Sequence, residues 1–378
     1  MPTTLQKLTI LSLSLLLMGT MAVAPILGAI AHAFPGASPT AVQMLIALPG
    51  AVLIPFSILS GGLSARFSKR GLVMLGLVVF IMGGVAPAFS RDFSTVMWMR
   101  VLFGAGLGIL TPFASGLIAD FFEGPQRSSL LGFQGAVVNT GSILMSLMAG
   151  ILGAFSWRYG FYVYLIGLPI LVLIFAKLPE PPKAANQAEK AAPNGKVFRI
   201  AFLMLLYALC YFTFFSNTAI LIDKERLGDA ASSGIAITLM TVGGLCLGVV
   251  FGRIHELMGR FIPVLGLLLT GAGFLILTRA HSLPGVFLAA LVIGAGFGIV
   301  MVYMTLRVTL VAPKPAVTIS LAIMLSFVNI GAFISPPVFI GLGKALHNPS
   351  ERFTFLLTAF FLFAAALIAS VKQAKTQP

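Results

Sequence analysis

Twelve long stretches of this chain carry almost no charge, and that property decides the solvent it must fold in. The runs fall at about residues 8–31, 41–62, 71–89, 95–118, 128–155 and 158–177, then at 199–222, 232–252, 262–278, 284–306, 316–341 and 353–371. A bilayer core about 30 Å thick is crossed by about 20 residues of helix, and in hydrocarbon a helix pairs its own backbone amides without help from water. Each run therefore reads as a membrane span. Composition agrees, with 58% of the 378 residues hydrophobic and only 9% charged, a balance that a water-exposed domain of this size does not carry.

The one extended polar stretch, rich in proline and lysine, divides the runs into two sets of six. It predicts an N-terminal bundle over 1–177, a flexible linker over 178–198 and a C-terminal bundle over 199–378. With the N-terminus inside, sixteen of the 24 Lys and Arg fall on the cytoplasmic side, seven fall outside, and Arg100 lies within a span. That bias is the positive-inside pattern, and it predicts a multi-pass inner-membrane (plasma-membrane) protein with both termini cytoplasmic. The same scatter argues against nucleic acid as a partner, since the formal charge of +14 is spread between apolar runs and not gathered on one face. A cleaved signal peptide ending near Ala-His-Ala is the competing account of the first run. Cys210 and Cys246 both sit in apolar runs, so neither a disulfide nor a metal is inferred, and no cofactor is expected.

An internal repeat ties the halves together. Val-Asn-Thr-Gly at 138–141 recurs as Val-Asn-Ile-Gly at 328–331, and Gly-Ala-Gly-Leu-Gly-Ile at 104–109 recurs as Gly-Ala-Gly-Phe-Gly-Ile at 294–299, both at an offset of 190. Gly61 after the second run maps near Gly252 after the eighth, at 191. The first run then pairs with the seventh, which argues that it is retained. The glycine hexapeptides follow no strand, so close helix packing explains them better than a dinucleotide loop.

The loop after the second run reads Gly61-Gly62-Leu63-Ser64-Ala65-Arg66-Phe67-Ser68-Lys69-Arg70, and its second copy, Gly252 to Arg260, restores an acid at Glu256 and a glycine at Gly259. Arg100 precedes the glycine-rich face of the fourth run, which ends near Asp120, and Trp157-Arg158 opens the sixth, which ends in Leu-Pro-Glu at 178–180. Together these resemble the major facilitator superfamily, and the Trp-Arg juncture resembles its twelve-span drug:proton antiporter branch. The chain departs from the family pattern at Ala65 and Ser68, where Asp and Gly are expected, and at Leu257, where Arg is. In the fifth run it keeps Gly141 but has Met145-Ser146 and Ala149-Gly150 in place of the antiporter's Gly-Pro and Gly-Gly, while Pro336-Pro337 falls in the eleventh. A proline pair there predicts a broken, flexing helix of use in gating.

The resemblance implies an all-α membrane protein, twelve transmembrane helices in two pseudo-symmetric six-helix bundles. It also implies a monomeric secondary transporter that moves a small-molecule substrate by alternating access. Its path would run between the halves, and the polar and aromatic residues of the implied spans make Arg100, Gln134, Asn139, Tyr207, Tyr211, Phe215, Asn217, Tyr303 and Asn329 the candidates. Each has a plainer account: Arg100 near a helix start can snorkel, phenylalanines pack bundles, and the two asparagines can join helices. All ten acids lie at span ends or in loops, so the cargo is expected to be neutral, amphipathic or anionic, and proton antiport lacks the usual mid-membrane carboxylate. Export of drug-like compounds, with protons as the coupling ion, is the first reading. A sugar or organic-anion permease using Arg100 as counter-charge is the second, and a non-transporting sensor or structural subunit the third. No cluster typical of an enzyme is present. For gating, Gly61, Arg66, Arg70, Asp120, Glu256, Arg260, Arg307, Pro336 and Pro337 are singled out, with Arg66 or Arg70 expected to face Asp120 and Glu256 to face Arg307.

Overall fold

The computed structural model describes residues 4–64, 66–180, 194–313 and 316–375. Most of the expected linker, together with Ala65 and Lys314, lies outside the described residues. Among them there are no strands, and eleven helices are long and apolar enough to cross a membrane, or twelve when one bent pair counts as a single span. The chain is a multi-pass membrane protein. It divides into two compact units, Met1–Ala188 and Glu189–Pro378.

The first unit holds α1 (Leu5–Leu16 with Gly19–Ala33), α2 (Pro39–Leu63), α3 (Lys69–Phe89), α4 (Phe93–Phe121), α5 (Gly124–Phe155) and α6 (Trp157–Lys177). The second holds α7 (Gly195–Lys224), α8 (Ala230–Val249), α9 (Phe251–Arg279), α10 (Leu283–Val311), α11 (Val317–Ala345) and α12 (Glu351–Lys375). Several begin on a short polar side chain that accepts an otherwise free amide. Ser38 accepts from Ala41 N–H at 3.2 Å, Asp92 from Thr95 N–H at 2.8 Å, and Asn194 from Val197 N–H at 3.1 Å. Asp229 and Ser232 form a reciprocal capping box at the start of α8.

In the first unit α4 packs on α2 and α3, and α1 packs on α5; in the second α10 packs on α8 and α9, and α7 on α11. The repeat seen in the sequence is thus a repeat of contacts. A Cβ added to Gly141 would overlap the carbonyl of Leu15, and one added to Gly331 would overlap that of Leu205. Gly106 lies against Phe80, and Gly296 against Thr270. Each contact recurs at the offset of 190. Gly104 lies against the Pro49 carbonyl and Gly294 against that of Met240, so the α2 and α8 partners stand 191 apart. Glycine at these places lets backbones touch, which in lipid supplies the packing that water would otherwise drive.

Two spans differ from the continuous helices expected. The halves of α1 meet at 44°, and Gly19–Ile26 is 3-10 helix. Pro25 has no N–H to donate, and the Thr9 and Ser12 hydroxyls bond back to the carbonyls of Leu5 and Thr9, an interaction that bends helices. α7 is interrupted at Phe212, where the Thr213 hydroxyl takes the Cys210 carbonyl at 2.6 Å. The proline pair corrects the opposite expectation: α11 runs on as one helix from Val317 to Ala345 through Pro336 and Pro337. Neighbouring helices and local adjustment absorb the lost bonds, as membrane helices tolerate. Gly61 is no packing glycine, since a Cβ there meets nothing within 4 Å.

At one end of the second unit, Arg352 donates to both carboxylate oxygens of Glu225 at 2.6 and 2.5 Å and to the Thr278 and Ala280 carbonyls at 2.6 and 2.8 Å. Lys224 pairs with Glu351 at 2.5 Å. This clamp joins the ends of α7, α9 and α12.

Two outcomes follow. Gly294→Ala or Gly331→Ala should cost about 2 kcal/mol or more through overpacking, read as a lower apparent Tm in detergent, while Gly61→Ala should leave the midpoint unchanged. The bonds from Arg352 hold the Glu225 carboxyl below its ordinary 4.5, so the stability it contributes is present above that value. It is lost as the pH falls through the lowered native value, and a Glu225→Gln variant should show a flatter acid limb in a Tm-against-pH series.

Candidate functional site

Arg100 is the largest fully buried side chain among the described residues, with none of its surface exposed. It does not snorkel to the interface. Its Nε donates to the Leu45 carbonyl at 2.8 Å. That acceptor is free because the residue four places on in α2 is Pro49, which has no N–H to give it. The Arg100 terminal nitrogens donate to the Tyr164 hydroxyl at 3.1 Å and to the Thr20 carbonyl at 3.5 Å. Tyr164 in turn donates to the Gly19 carbonyl at 2.8 Å. The guanidinium lies 4.4 Å from the Phe103 ring centroid and 5.7 Å from that of Tyr164. Backbone oxygens and ring faces offset the charge, and one side chain on α4 ties the 3-10 stretch of α1, the proline of α2 and α6.

At the other end of α4, Asp120 forms an ion pair at 2.7 Å with Lys69, the first residue of α3. The expected partners were Arg66 and Arg70. Arg66 is instead exposed beside a cleft of about 430 Å³ lined by Ile58, Leu59, Gly62 and Leu63. Arg70 donates to the Phe175 carbonyl in the last turns of α6 and lies over the Phe175 ring. Glu180, just past α6, accepts from the Ser68 hydroxyl at 2.5 Å, the Lys69 N–H at 2.8 Å and the Arg70 N–H at 3.4 Å. Helices α3 and α6 therefore cap each other, a carboxylate on the amide end of one and a guanidinium on the carbonyl end of the other. In the second unit Glu256 and Arg307 are exposed and form no ion pair with each other among the described residues, and Arg260 lies over Phe261 at 5.3 Å.

The other candidates divide by unit. Gln134 is buried and its amide donates to the Ser115 hydroxyl at 3.4 Å. Asn139 and Asn329, one repeat apart, each donate to a carbonyl one turn back in their own helix, Gly135 at 2.8 Å and Leu325 at 3.0 Å, and not across to a neighbour. Tyr303 packs half-buried against an apolar cluster of Phe251, Ile262 and Ile299. Asn217 is buried and donates to the Thr213 carbonyl at 3.0 Å. Tyr207, Tyr211 and Phe215 are brought together: Tyr207 and Tyr211 lie within 15° of parallel, and Phe215 meets Tyr211 edge-on at 5.7 Å. The sequence reading missed Phe297 of α10, which stacks on Tyr211 at 4.1 Å and 13°. Its signal was there, as the one residue that differs between the repeated glycine hexapeptides, Leu107 in the first and Phe297 in the second.

The described residues include no group of three or more His, Cys, Asp or Glu placed to hold a metal.

Comparison with known proteins adds the following. Residues 9–336 match the model of the Major Facilitator Superfamily. The chain is 25% identical over 213 residues to "Quinolone resistance protein NorA" of Staphylococcus aureus, across 54% of this chain and 53% of that protein. It thus spans about half the length of the curated relatives it first matches. It is 24% identical over 274 residues to "Multidrug resistance protein 1" of Bacillus subtilis, across 69% of this chain and 70% of that one. Among solved structures, a POT family transporter superposes with a TM-score of 0.77 at 14% identity over 100% of this chain and 97% of the other. A bacterial homolog of the human lysosomal transporter Spinster, inward-facing and unoccupied, superposes with a TM-score of 0.71 at 15% identity, over 98% and 96% of the two chains. Likeness at that identity shows the fold.

Replacing Arg100 by Met strands the Leu45 carbonyl, at about 1–3 kcal/mol for a group left unpaired in a dry core, and removes the added bonds to the Thr20 carbonyl and the Tyr164 oxygen. The expected outcome is a sharp fall in apparent Tm. Adding Pro49→Ala, which gives the Leu45 carbonyl its helical N–H back, should recover part of it. A double variant no more stable than Arg100→Met alone would refute this account of the network.

Proposed function

Because the chain belongs to the major facilitator superfamily, we propose that it is a secondary transporter, not an enzyme, that exports small amphipathic or drug-like compounds by alternating access. The observation that carries the choice of cargo is the interior of the second unit. There α7 and α10 gather Tyr207, Tyr211, Phe215 and Phe297, and no carboxylate lies within reach of mid-span among the described residues. An apolar, aromatic lining with a few hydroxyls and amides suits drug-sized ligands. The two named relatives, one a quinolone resistance and one a multidrug resistance protein, support the same reading.

The organic-anion permease reading loses its basis, because the nitrogens of Arg100 are committed to backbone and phenol. The same reading makes it a plasma-membrane monomer with both termini cytoplasmic, and protons are the coupling ion proposed. Lys69 and Asp120, with Glu180 behind them, serve as the cytoplasmic latch of the first unit, holding α3 to α4 and α6 while the inside is closed.

Purified protein in vesicles with an imposed pH gradient tests this. Quinolones and lipophilic dyes should move while sugars do not, and collapsing the gradient should stop the flux. Sugar flux without dye flux would sink the cargo assignment, and dye flux indifferent to the gradient would sink proton coupling.

A further inference from the structure

The two units depart from each other at a base they share. In the first, Arg70 donates to the Phe175 carbonyl and lies over the Phe175 ring, while Glu180 accepts from the Ser68 hydroxyl and from the Lys69 and Arg70 amides. At the offset of 190 the second unit keeps the base, as Arg260, but has Ala365 in place of the ring and Ser370 in place of the carboxylate. Ser370 supplies no charge, and its hydroxyl donates to the Leu367 carbonyl at 2.7 Å. Arg260 is exposed, lies over Phe261 at 5.3 Å, and forms no ion pair among the described residues.

Space accompanies the missing carboxylate. A cleft of about 360 Å³ runs between α9 and α12, lined by Val264, Leu268, Phe363, Ala366, Leu367 and Ser370. All of these but Ser370 are apolar, and Leu268 and Leu367 are exposed, so the cleft opens on the surface of the unit. The 3-10 turn Gly259–Phe261, which carries Arg260, packs against α12, and this sets the base at the Ser370 end of the cleft. Lys372, two residues past Ser370 and likewise exposed, adds a second base there. The acids of these two helices are Glu351, paired in the clamp at the opposite end, and Glu256, which follows Arg253 by three residues. Neither lines the cleft, and its Ser370 end is left with a surplus of positive charge.

We propose that this cleft holds one anionic phospholipid, with an acyl chain along α9 and α12 and its phosphate against Arg260 and Lys372, in the role that the Glu180 carboxylate fills in the first unit. Basic pockets between membrane helices recognise anionic headgroups in this way. A zwitterionic lipid brings an ammonium group to the same two bases and loses the advantage. A free phosphate has no tail for the apolar walls. Arg352 of α12 already fastens α9 at the far end, through the Thr278 and Ala280 carbonyls, and the lipid fastens the same two helices at this one.

Native mass spectrometry of the purified full chain, titrated with lipid in detergent, counts the bound molecules and gives their affinity. Phosphatidylglycerol should bind saturably and more tightly than phosphatidylethanolamine. Arg260→Gln should weaken phosphatidylglycerol about fivefold. Ser370→Glu, which restores the carboxylate of the first unit, should weaken it at least as much without lowering the apparent Tm of the lipid-free protein. Arg279→Gln, an exposed base at the opposite end of α9, should leave the affinity within about twofold. Phosphatidylethanolamine bound as tightly as phosphatidylglycerol would reduce the cleft to ordinary lipid contact, and glycerol 3-phosphate bound as tightly would make it a site for free anions. Either result, or equal effects of Arg260→Gln and Arg279→Gln, would overturn the proposal. A dimer that Leu367→Glu dissolves, with no lipid retained, would assign the face to a second copy of the chain and overturn it as well.

Discussion

A carbonyl that loses its helical partner inside a bilayer has no water to turn to, and the first unit is organised around that debt. Pro49 frees the Leu45 oxygen. A single guanidinium meets it and, acting with one phenol, adds bonds to the Gly19 and Thr20 carbonyls of the 3-10 stretch of α1. Because Arg100 sits on α4, which also packs closely on α2 and α3 through Gly104 and Gly106, the same helix that supplies the donors is the one the others are gathered against. Breaks in helices and the charge that mends them belong together, since a cation in hydrocarbon is tolerated where backbone oxygens are unclaimed.

The second unit solves the equivalent problem without charge. Leu209 and Cys210 stand 190 residues after Gly19 and Thr20, and their carbonyls accept from the Ser335 hydroxyl at 2.7 Å and the Thr213 hydroxyl at 2.6 Å. Two short hydroxyls occupy less volume than an arginine and a tyrosine. The space left around α7 is taken by Tyr211, Phe212, Phe215 and Phe297. One packing plan, repeated at the offset of 190, holds a unit whose interior polarity is spent on its own backbone and a unit whose interior is aromatic.

Much of this was legible beforehand. Spans follow from hydrophobic length alone, and the offset of 190 named glycines that prove to be sites of backbone contact in both units. What failed did so for physical reasons. The position of Arg100 near a helix start suggested escape to the interface, because sequence does not show that a proline two spans away has prepared an acceptor. The loop pattern pointed to Arg66 or Arg70 as the partner of Asp120, yet Lys69, at the first turn of α3, is the base whose reach and direction fit. Pro336 and Pro337 promised a break that packed membrane helices absorb. Tertiary contacts decide each of these, and the chain order of residues carries no record of them except where a repeat supplies a second copy to compare.

Asn139 and Asn329 carry a consequence of another kind. Each amide is already bonded to the helix that bears it, one turn back. Each therefore enters the interior with one of its polar bonds already made within its own helix, which lowers the cost of a dry surround without tying the side chain to a neighbour. The two helices are held to their partners elsewhere, by the close glycine contacts at Gly141 and Gly331 and by the Ser335 hydroxyl, so the asparagines add polarity to α5 and α11 without adding a second rivet.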